Sequence, residues 1–289
     1  MTLFLIIAPI CLAASADLDH SKWDALLKQY VNAEARVDYG NLKSRGLAEL
    51  DSYLNEIAAP WPASMEPQAT KAALINSYNV LTVRWIITNY PVESILKTKD
   101  PFTAERHTLN GGVTSLDKIE GRLRAMGDPR IHAALVCAGR SCPPLRREAY
   151  AAGRIDDQLD DNVRAWLANR QLNEFIPSQR LARISSIFKW YVGDFEAAGG
   201  ATPFLARFAP AADSGFLREP SPKIEFLKYN WGLNDASDLG SGYSDKDLYF
   251  DIVRGALRNR WVLGLLAVLL VAGVLLFLRH RGARVLAGG

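Results

Sequence analysis

The feature that most constrains this chain is an uninterrupted apolar run close to its C-terminal end. The 18 residues 261–278, WVLGLLAVLLVAGVLLFL, contain no charged side chain. At 1.5 Å per residue a helix of this length rises about 27 Å, close to the hydrocarbon thickness of a bilayer. The run therefore predicts one transmembrane helix, followed by a short tail at 279–289.

The opening of the chain predicts how this helix is oriented. Residues 2–13 are almost all apolar, and Ala14-Ser15-Ala16 follows them, which predicts a signal peptide at 1–16 that is cleaved after Ala16 and carries Cys11 away. Three arginines lie on each side of the apolar run, so the positive-inside rule gives no orientation. The signal peptide predicts a single-pass protein of the bacterial inner membrane with its N-terminal domain in the periplasm.

The segment between these two ends, 17–235, has the pattern of one α+β domain. The longest predicted helix covers 68–90, and Asn110-Gly111 between two short segments predicts a β-hairpin. We therefore expect a mostly helical domain with a small antiparallel sheet. A change to Asn, Asp, Ser and Gly near 232–244 marks 236–260 as a juxtamembrane linker. Further helices are predicted at 21–33, 42–57, 115–124 and 155–169, and short strands within 175–184 and 223–229.

Composition excludes several classes of function. The net charge is +3 and no basic stripe with interleaved aromatic residues is present, so we expect no nucleic-acid partner. The sequence lacks the glycine-rich phosphate and dinucleotide motifs, the H-E-x-x-H zinc motif and the G-x-S-x-G elbow. We predict no cofactor and no metal, and a small molecule, a peptide or a protein remains open as the partner.

The block DPRIHAALVCAGRSCPPL, residues 128–145, holds two of the three cysteines. Residues 131–137 have the apolar content of a short strand. A regular strand would place His132 and Cys137 on opposite faces of its sheet.

Cys142 stands directly before Pro143-Pro144, a pair suited to the first turn of a helix. A thiol at a helix N-terminus has its thiolate stabilised by free N–H groups and the helix dipole. Arg140 would add to this effect. Cys142 is thus a candidate nucleophile.

Three interpretations of these cysteines remain open. Cys137 and Cys142 are an even pair in an oxidising compartment and suit a disulfide. Alternatively, Cys142 is a nucleophile with His132 or His107 as its base. Zinc binding by both cysteines and a histidine is the third, although the C-x₄-C spacing is weak for a zinc site.

On the long helix, Asn76 and Asn79 are three residues apart and share a face. Buried amides need hydrogen-bond partners, so these two can hold the helix against a neighbouring loop. Alternatively, Asn79 orients a catalytic histidine. Glu120 and Arg124 are spaced for an ion pair on a predicted helix, and the aromatic segments IFKWYVGDF and YNWGLN are assigned to the core.

Taken together, these stretches resemble the family of domain of unknown function 547. The resemblance covers about 71–234 and rests on NSYNVL, SLDKIEGRLR, the histidine–cysteine block, IFKWYVGDF and YNWGLN, in the order in which the family has them. It implies that the family pattern includes Asn76, Tyr78, Asn79, His132, Cys137 and Cys142. The family's activity is not established, so the resemblance implies domain boundaries more than chemistry.

The sequence thus predicts a membrane-anchored periplasmic domain with two rival functions. In the first, the domain is a cysteine-dependent hydrolase or acyl transferase in which Cys142 is the nucleophile, His132 the base and Asn79 the orienting group. In the second, it is a non-enzymatic binding or scaffold module with a Cys137–Cys142 disulfide.

Overall fold

The computed structural model describes residues 17–218 and 222–258. The predicted signal peptide, membrane span and tail lie outside these residues. Within them, no helix is long and apolar enough to cross a bilayer. The helices are α1 (Ser21–Tyr30), α2 (Tyr39–Asn41), α3 (Leu47–Ala58), α4 (Pro67–Asn89), α5 (Leu116–Arg124), α6 (Ile155–Ala168), α7 (Ile187–Trp190), α8 (Val192–Ala197), α9 (Ala201–Phe208), α10 (Ala211–Leu217) and α11 (Asp245–Arg258). The strands are β1 (His107–Leu109), β2 (Gly112–Thr114), β3 (Glu174–Ile176), β4 (Leu181–Ser185) and β5 (Lys223–Leu227).

Helix α4 is the centre of the domain. Every residue from Ala72 to Val83 is buried, including the polar Asn76, Ser77 and Asn79. A helix that is apolar on all sides must be surrounded by other elements, and α2, α3, α5 and α6 pack around this one. The predicted mostly helical domain is confirmed.

Strands form two small sheets. In the first, β1 and β2 pair antiparallel, and Asn110 and Gly111 between them both have positive φ, as a tight two-residue hairpin requires. This hairpin is the antiparallel sheet that the sequence predicts. In the second sheet β3 pairs antiparallel with β4, but β4 pairs parallel with β5 through a helical crossover. The pattern of the strands did not predict the parallel pair.

The block that contains both cysteines differs from its predicted structure. Pro129–Ala133 forms a short 3₁₀ helix, and the chain continues as a loop, so the predicted strand at 131–137 is wrong. No helix begins at Pro143, so the helix N-terminus that was to activate Cys142 is absent. Local apolar content favoured a strand, whereas side chains from other elements bind the backbone groups that a strand would pair with its neighbour.

An ion-pair network holds the start of this block against α4 and α6. Arg130 donates to Asp128 at 2.9 Å and to Asp160 at 2.7 Å, and Lys71 reaches Asp128 at 2.8 Å. Burial alone would raise the pKa of Asp128, but the hydrogen bonds from Arg130 and Lys71 outweigh it and lower the pKa to about 2. The carboxylate therefore stays charged and keeps the 3₁₀ helix in place.

The predicted linker at 236–260 contains a helix. Turns occupy the segment up to Ser244, in keeping with its Asn, Asp, Ser and Gly residues, and α11 begins at Asp245. Tyr243 is buried, and its hydroxyl donates a hydrogen bond to Asp251 at 2.9 Å. At least this part of the segment packs against the domain.

Candidate functional site

Asparagines of two helices hold the loop that carries the thiols. Asn79 accepts a hydrogen bond from the backbone N–H of Val136 at 2.9 Å and donates to the carbonyl of Ala134 at 2.9 Å. Asn162 donates to the carbonyls of Ala133 and Pro144. Of the two interpretations of Asn79, these contacts favour a structural one, because both ends of its amide bind loop backbone.

Asn76 has the same function one turn earlier. Its amide accepts from the N–H of Tyr150 at 2.9 Å and donates to the carbonyl of the same residue at 2.8 Å. Since Asn76 is fully buried, these bonds replace the water that the amide loses on folding.

The two thiols lie against each other. The Sγ atoms of Cys137 and Cys142 are 3.0 Å apart, and both cysteines are free. The Tyr229 hydroxyl lies 3.1 Å from Sγ of Cys142 and 3.4 Å from Sγ of Cys137, and the N–H of Gly139 donates to Cys142. Ala138, between the cysteines, has φ 63°, which turns the chain sharply enough to bring the sulfur atoms together.

The environment divides the pair into two unlike thiols. The hydrogen bond from Cys142, helped by the Tyr229 hydroxyl, lowers the pKa of Cys137 although burial opposes it. Burial raises the pKa of Cys142. Cys137 is the partly exposed thiol and Cys142 the buried one. The structure therefore favours Cys137 as the thiol that ionises first.

Cys137 lines a cavity of about 210 Å³. Half of its lining residues are aromatic: Tyr78, Phe102, Trp190, Tyr191, Tyr229 and Trp231. Its polar lining residues are Asp117, Glu120, His132 and Cys137. His132 and Cys137 thus face one cavity, and their predicted placement on opposite faces is wrong. Such a concave apolar space with a few converging polar groups has the character of a small-molecule site.

His132, Asp194 and Arg124 form a chain of hydrogen bonds. Its Nε2 lies 2.8 Å from Oδ2 of Asp194, and Arg124 binds the same carboxylate through Nε at 2.6 Å and Nη2 at 2.9 Å. Arg124 lowers the pKa of Asp194, so the carboxylate is ionised and only accepts. Nε2 of His132 therefore carries the proton, and Nδ1 of the neutral ring keeps its lone pair.

Burial raises the pKa of the two carboxyl groups that line the cavity, whereas Arg124 lowers the pKa of Asp194. Burial raises the pKa of Glu120, although a hydrogen bond with Tyr191 opposes it, and it also raises the pKa of Asp117. The predicted ion pair between Glu120 and Arg124 is replaced by the bidentate pair of Arg124 with Asp194. Glu120 instead lines the cavity that Cys137 also lines.

Besides Asn76 and Asn79, three further predicted site residues do not line this cavity. Cys142 and Arg140 line a separate polar groove, where Arg140 pairs with Asp238 at 2.9 Å. His107, on β1, lines a groove against α3 and α4, and burial lowers its pKa to about 4. His107 therefore supports neither the interpretation with His107 as the base nor the one with a histidine as a zinc ligand, because neither thiol lines this groove.

Several residues of the site were predicted from the sequence to belong to the core. Trp190, Tyr191 and Asp194 come from IFKWYVGDF, and Tyr229 and Trp231 from YNWGLN. Trp190 is 47% exposed, which is unusual for a core residue. The one signal in the sequence was an aspartate within an aromatic segment.

In residues 17–218 and 222–258, no group of three or more His, Cys, Asp or Glu side chains could hold a metal ion.

Fold and site together define a mostly helical α+β domain with a thiol pair beside an aromatic cavity. Residues 62–167 match the family described as "Protein of unknown function, DUF547". This match confirms, for that segment, the family that the sequence motifs indicate. It covers α4, α5, both cysteines and almost all of α6, whereas Asp194, Tyr229 and Trp231 lie beyond it. No curated protein and no solved structure matches the chain.

The buried histidines predict an acid-sensitive fold. Burial lowers the pKa of His132 from 6.5 to about 4. Between these pH values the unfolded chain binds more protons than the folded one, so the free energy of unfolding decreases as pH falls from 6.5 to 4. The contribution of His132, which is 3% exposed, amounts to about 3 kcal/mol. Denaturant unfolding across this window should show the loss, and His132→Gln should reduce it while the contribution of His107, whose pKa is also lowered to about 4, remains; an unchanged slope would contradict the assignment.

Proposed function

We propose that the domain is a thiol-dependent hydrolase or acyl transferase in which Cys137, rather than Cys142, is the nucleophile. One observation carries the proposal: Cys137 is the thiol that lines the aromatic cavity, which His132 and Glu120 also line. Cys142 is the hydrogen-bonding partner of this nucleophile, since its sulfur lies 3.0 Å from that of Cys137. The membrane anchor at 261–278 and the periplasmic location remain part of this proposal.

Activation of the nucleophile follows from its hydrogen bonds. A thiolate at Cys137 can accept from the thiol of Cys142 and from the hydroxyl of Tyr229, 3.4 Å away. These donors stabilise the charged form in a site from which the aromatic walls exclude most water. They take the place of the helix N-terminus that the sequence predicted at Cys142.

His132 has the tautomer that a base or a proton carrier needs. Asp194 holds the proton on Nε2, so Nδ1 can take the thiol proton as Sγ of Cys137 bonds to the acyl carbon. The bond from that carbon to the leaving oxygen or nitrogen then breaks, and the leaving group takes the proton. Water or an acceptor hydroxyl or amine next attacks the thioester and restores the thiol.

The cavity also limits the substrate class. Asp117 and Glu120 are its only charged carboxyl side chains, and it has no lysine or arginine among its lining residues. Aromatic faces and carboxylates attract cations. A neutral or cationic acyl substrate therefore suits the cavity better than an anionic one.

The test uses p-nitrophenyl acetate as a small neutral acyl donor, with acid quenching and mass analysis of the peptides. Acetyl adducts should form on Cys137 in the wild type and in Cys142→Ser, and be absent in Cys137→Ser. Iodoacetamide at neutral pH should label Cys137 first. An adduct on Cys142 alone, or equal labelling of both thiols, would contradict the assignment of the nucleophile.

A second candidate is the binding module, favoured by the aromatic walls and by the approach of the sulfur atoms to 3.0 Å. In an oxidising compartment the pair needs only a small movement to form a Cys137–Cys142 disulfide. The cavity would then bind a cation without chemistry. Intact mass with and without reductant separates the two functions: a natively purified protein that is two hydrogens lighter and resists alkylation supports the module.

A further inference from the structure

Helix α11 turns a polar residue toward the domain and apolar residues toward solvent. Tyr249, Phe250 and Ile252 are 66%, 61% and 59% exposed, whereas Asp251 between them is 7% exposed. A helix on a soluble domain normally buries its apolar side. The apolar face of α11, defined by Tyr249, Phe250 and Ile252, is therefore directed away from the domain.

The orientation of this face is set by contacts at the start of the helix. Asp245 forms an ion pair with Lys228, and Asp251 accepts from the buried Tyr243. Lys97 also lies 5.8 Å from the ring of Tyr243, in a segment that packs against α11. Rotation of α11 that buried Tyr249 and Phe250 would break these contacts.

The chain beyond α11 indicates what this face meets. The described part of α11 reaches Arg258, and the 18-residue run without charge begins at Trp261. Three residues span at most about 11 Å even when fully extended. Phe250 is eight residues before Arg258, which adds about 12 Å along the helix. If the run crosses a bilayer, the apolar face therefore lies within about 23 Å of the start of the membrane span.

We infer that the apolar face of α11 lies on the lipid bilayer and fixes the orientation of the domain above it. Tyr and other amphipathic aromatic side chains concentrate at the interface between head groups and hydrocarbon, and a helix with one apolar face lies in that plane. Three arginines between 254 and 260 add attraction to anionic head groups. A bilayer is favoured over a second copy of the chain because the tether alone holds α11 beside it.

This orientation brings the aromatic cavity near the membrane. Tyr229 and Trp231 line both that cavity and a cleft whose other side is the first turn of α11, at Asp245 and Leu248. A molecule at the bilayer surface would thus be close to the cavity wall. Nothing in this placement depends on the thiol chemistry.

The test places a new fluorophore on the apolar face of the full chain, reconstituted at one chain per lipid nanodisc with part of the lipid anionic. Phe250→Trp adds a tryptophan on α11, and Val113→Trp adds one at an equally exposed site (63%) on β2. Lipids brominated close to the head group quench nearby tryptophans, and the emission of the wild type is subtracted.

We expect most of the emission added at position 250 to be lost and that at position 113 to be kept. Equal quenching at the two positions would overturn the inference, as would a chain that does not enter the nanodiscs. With one chain per disc, a second copy of the chain cannot cover position 250 and shield it from the brominated lipid. If emission at 250 survives bromine but the chain forms dimers in detergent, the face is an interface between copies and the inference is likewise overturned.

Discussion

Replacing Asn79 by leucine is expected to lower the free energy of unfolding by about 2–6 kcal/mol, because an orphaned buried backbone group costs about 1–3 kcal/mol and the substitution leaves two. These are the carbonyl of Ala134 and the N–H of Val136, both of which bind only the Asn79 amide among the described contacts of this loop. Leucine has the same number of side-chain heavy atoms as asparagine and the same branch point, but neither a donor nor an acceptor. The loss therefore reports the hydrogen bonds rather than a cavity.

Urea unfolding followed by tryptophan fluorescence measures this effect. Asn55→Leu on α3 is the matched control, because the side chain of Asn55 is exposed. Its stability should stay within about 0.5 kcal/mol of the wild type. Equal stability of the Asn79 and Asn55 variants would show that Asn79 does not hold the loop, and would return it to the catalytic interpretation.

Replacing Arg130 by methionine is expected to cost about 1–4 kcal/mol, between the about 0–1 kcal/mol of an exposed ion pair and the about 3–5 kcal/mol of a fully buried one. Arg130 is 18% exposed and bridges Asp128 and Asp160, which are 13% and 21% exposed. Without it, Asp160 loses its closest positive partner, and Asp128 keeps only Lys71. Loss of these ion pairs should also loosen the 3₁₀ helix that carries His132.

Arg183 provides the control for this prediction. It also joins two carboxylates, Glu174 and Glu225, at 3.0 and 3.1 Å, but its side chain is 42% exposed. Exposed ion pairs contribute about 0–1 kcal/mol, so Arg183→Met should be nearly neutral. If both arginine variants lose the same stability, burial does not decide the energetics of these networks.

Much of the helical framework follows from local sequence. The apolar residues of α1 recur at helical spacing, and the structure buries Trp23, Leu26, Leu27 and Tyr30. Ser115 caps α5, where its hydroxyl accepts from the N–H of Lys118 at 3.2 Å. Such signals act within one or two turns of the chain, so they survive without knowledge of the rest of the fold.

The thiol block could not be predicted in the same way. Its apolar residues suit a strand, but within 17–218 and 222–258 no neighbouring strand pairs with them. Asn79 and Asn162 bind its backbone instead, from positions 57 and 29 residues away. These bonds are formed only when α4 and α6 pack on either side, and they set which thiol faces the cavity.

The sequence by itself determined the helical character of the domain, its hairpin, the family that residues 62–167 match and the residues available for chemistry. Only the tertiary structure decided their arrangement: Asp194 meets His132 from 62 residues away, and Tyr229 reaches the thiols from 87 residues beyond Cys142. The physical reason is that propensity and periodicity are local, whereas a hydrogen bond or a pKa depends on atoms within a few ångströms, which the packing of distant segments brings together.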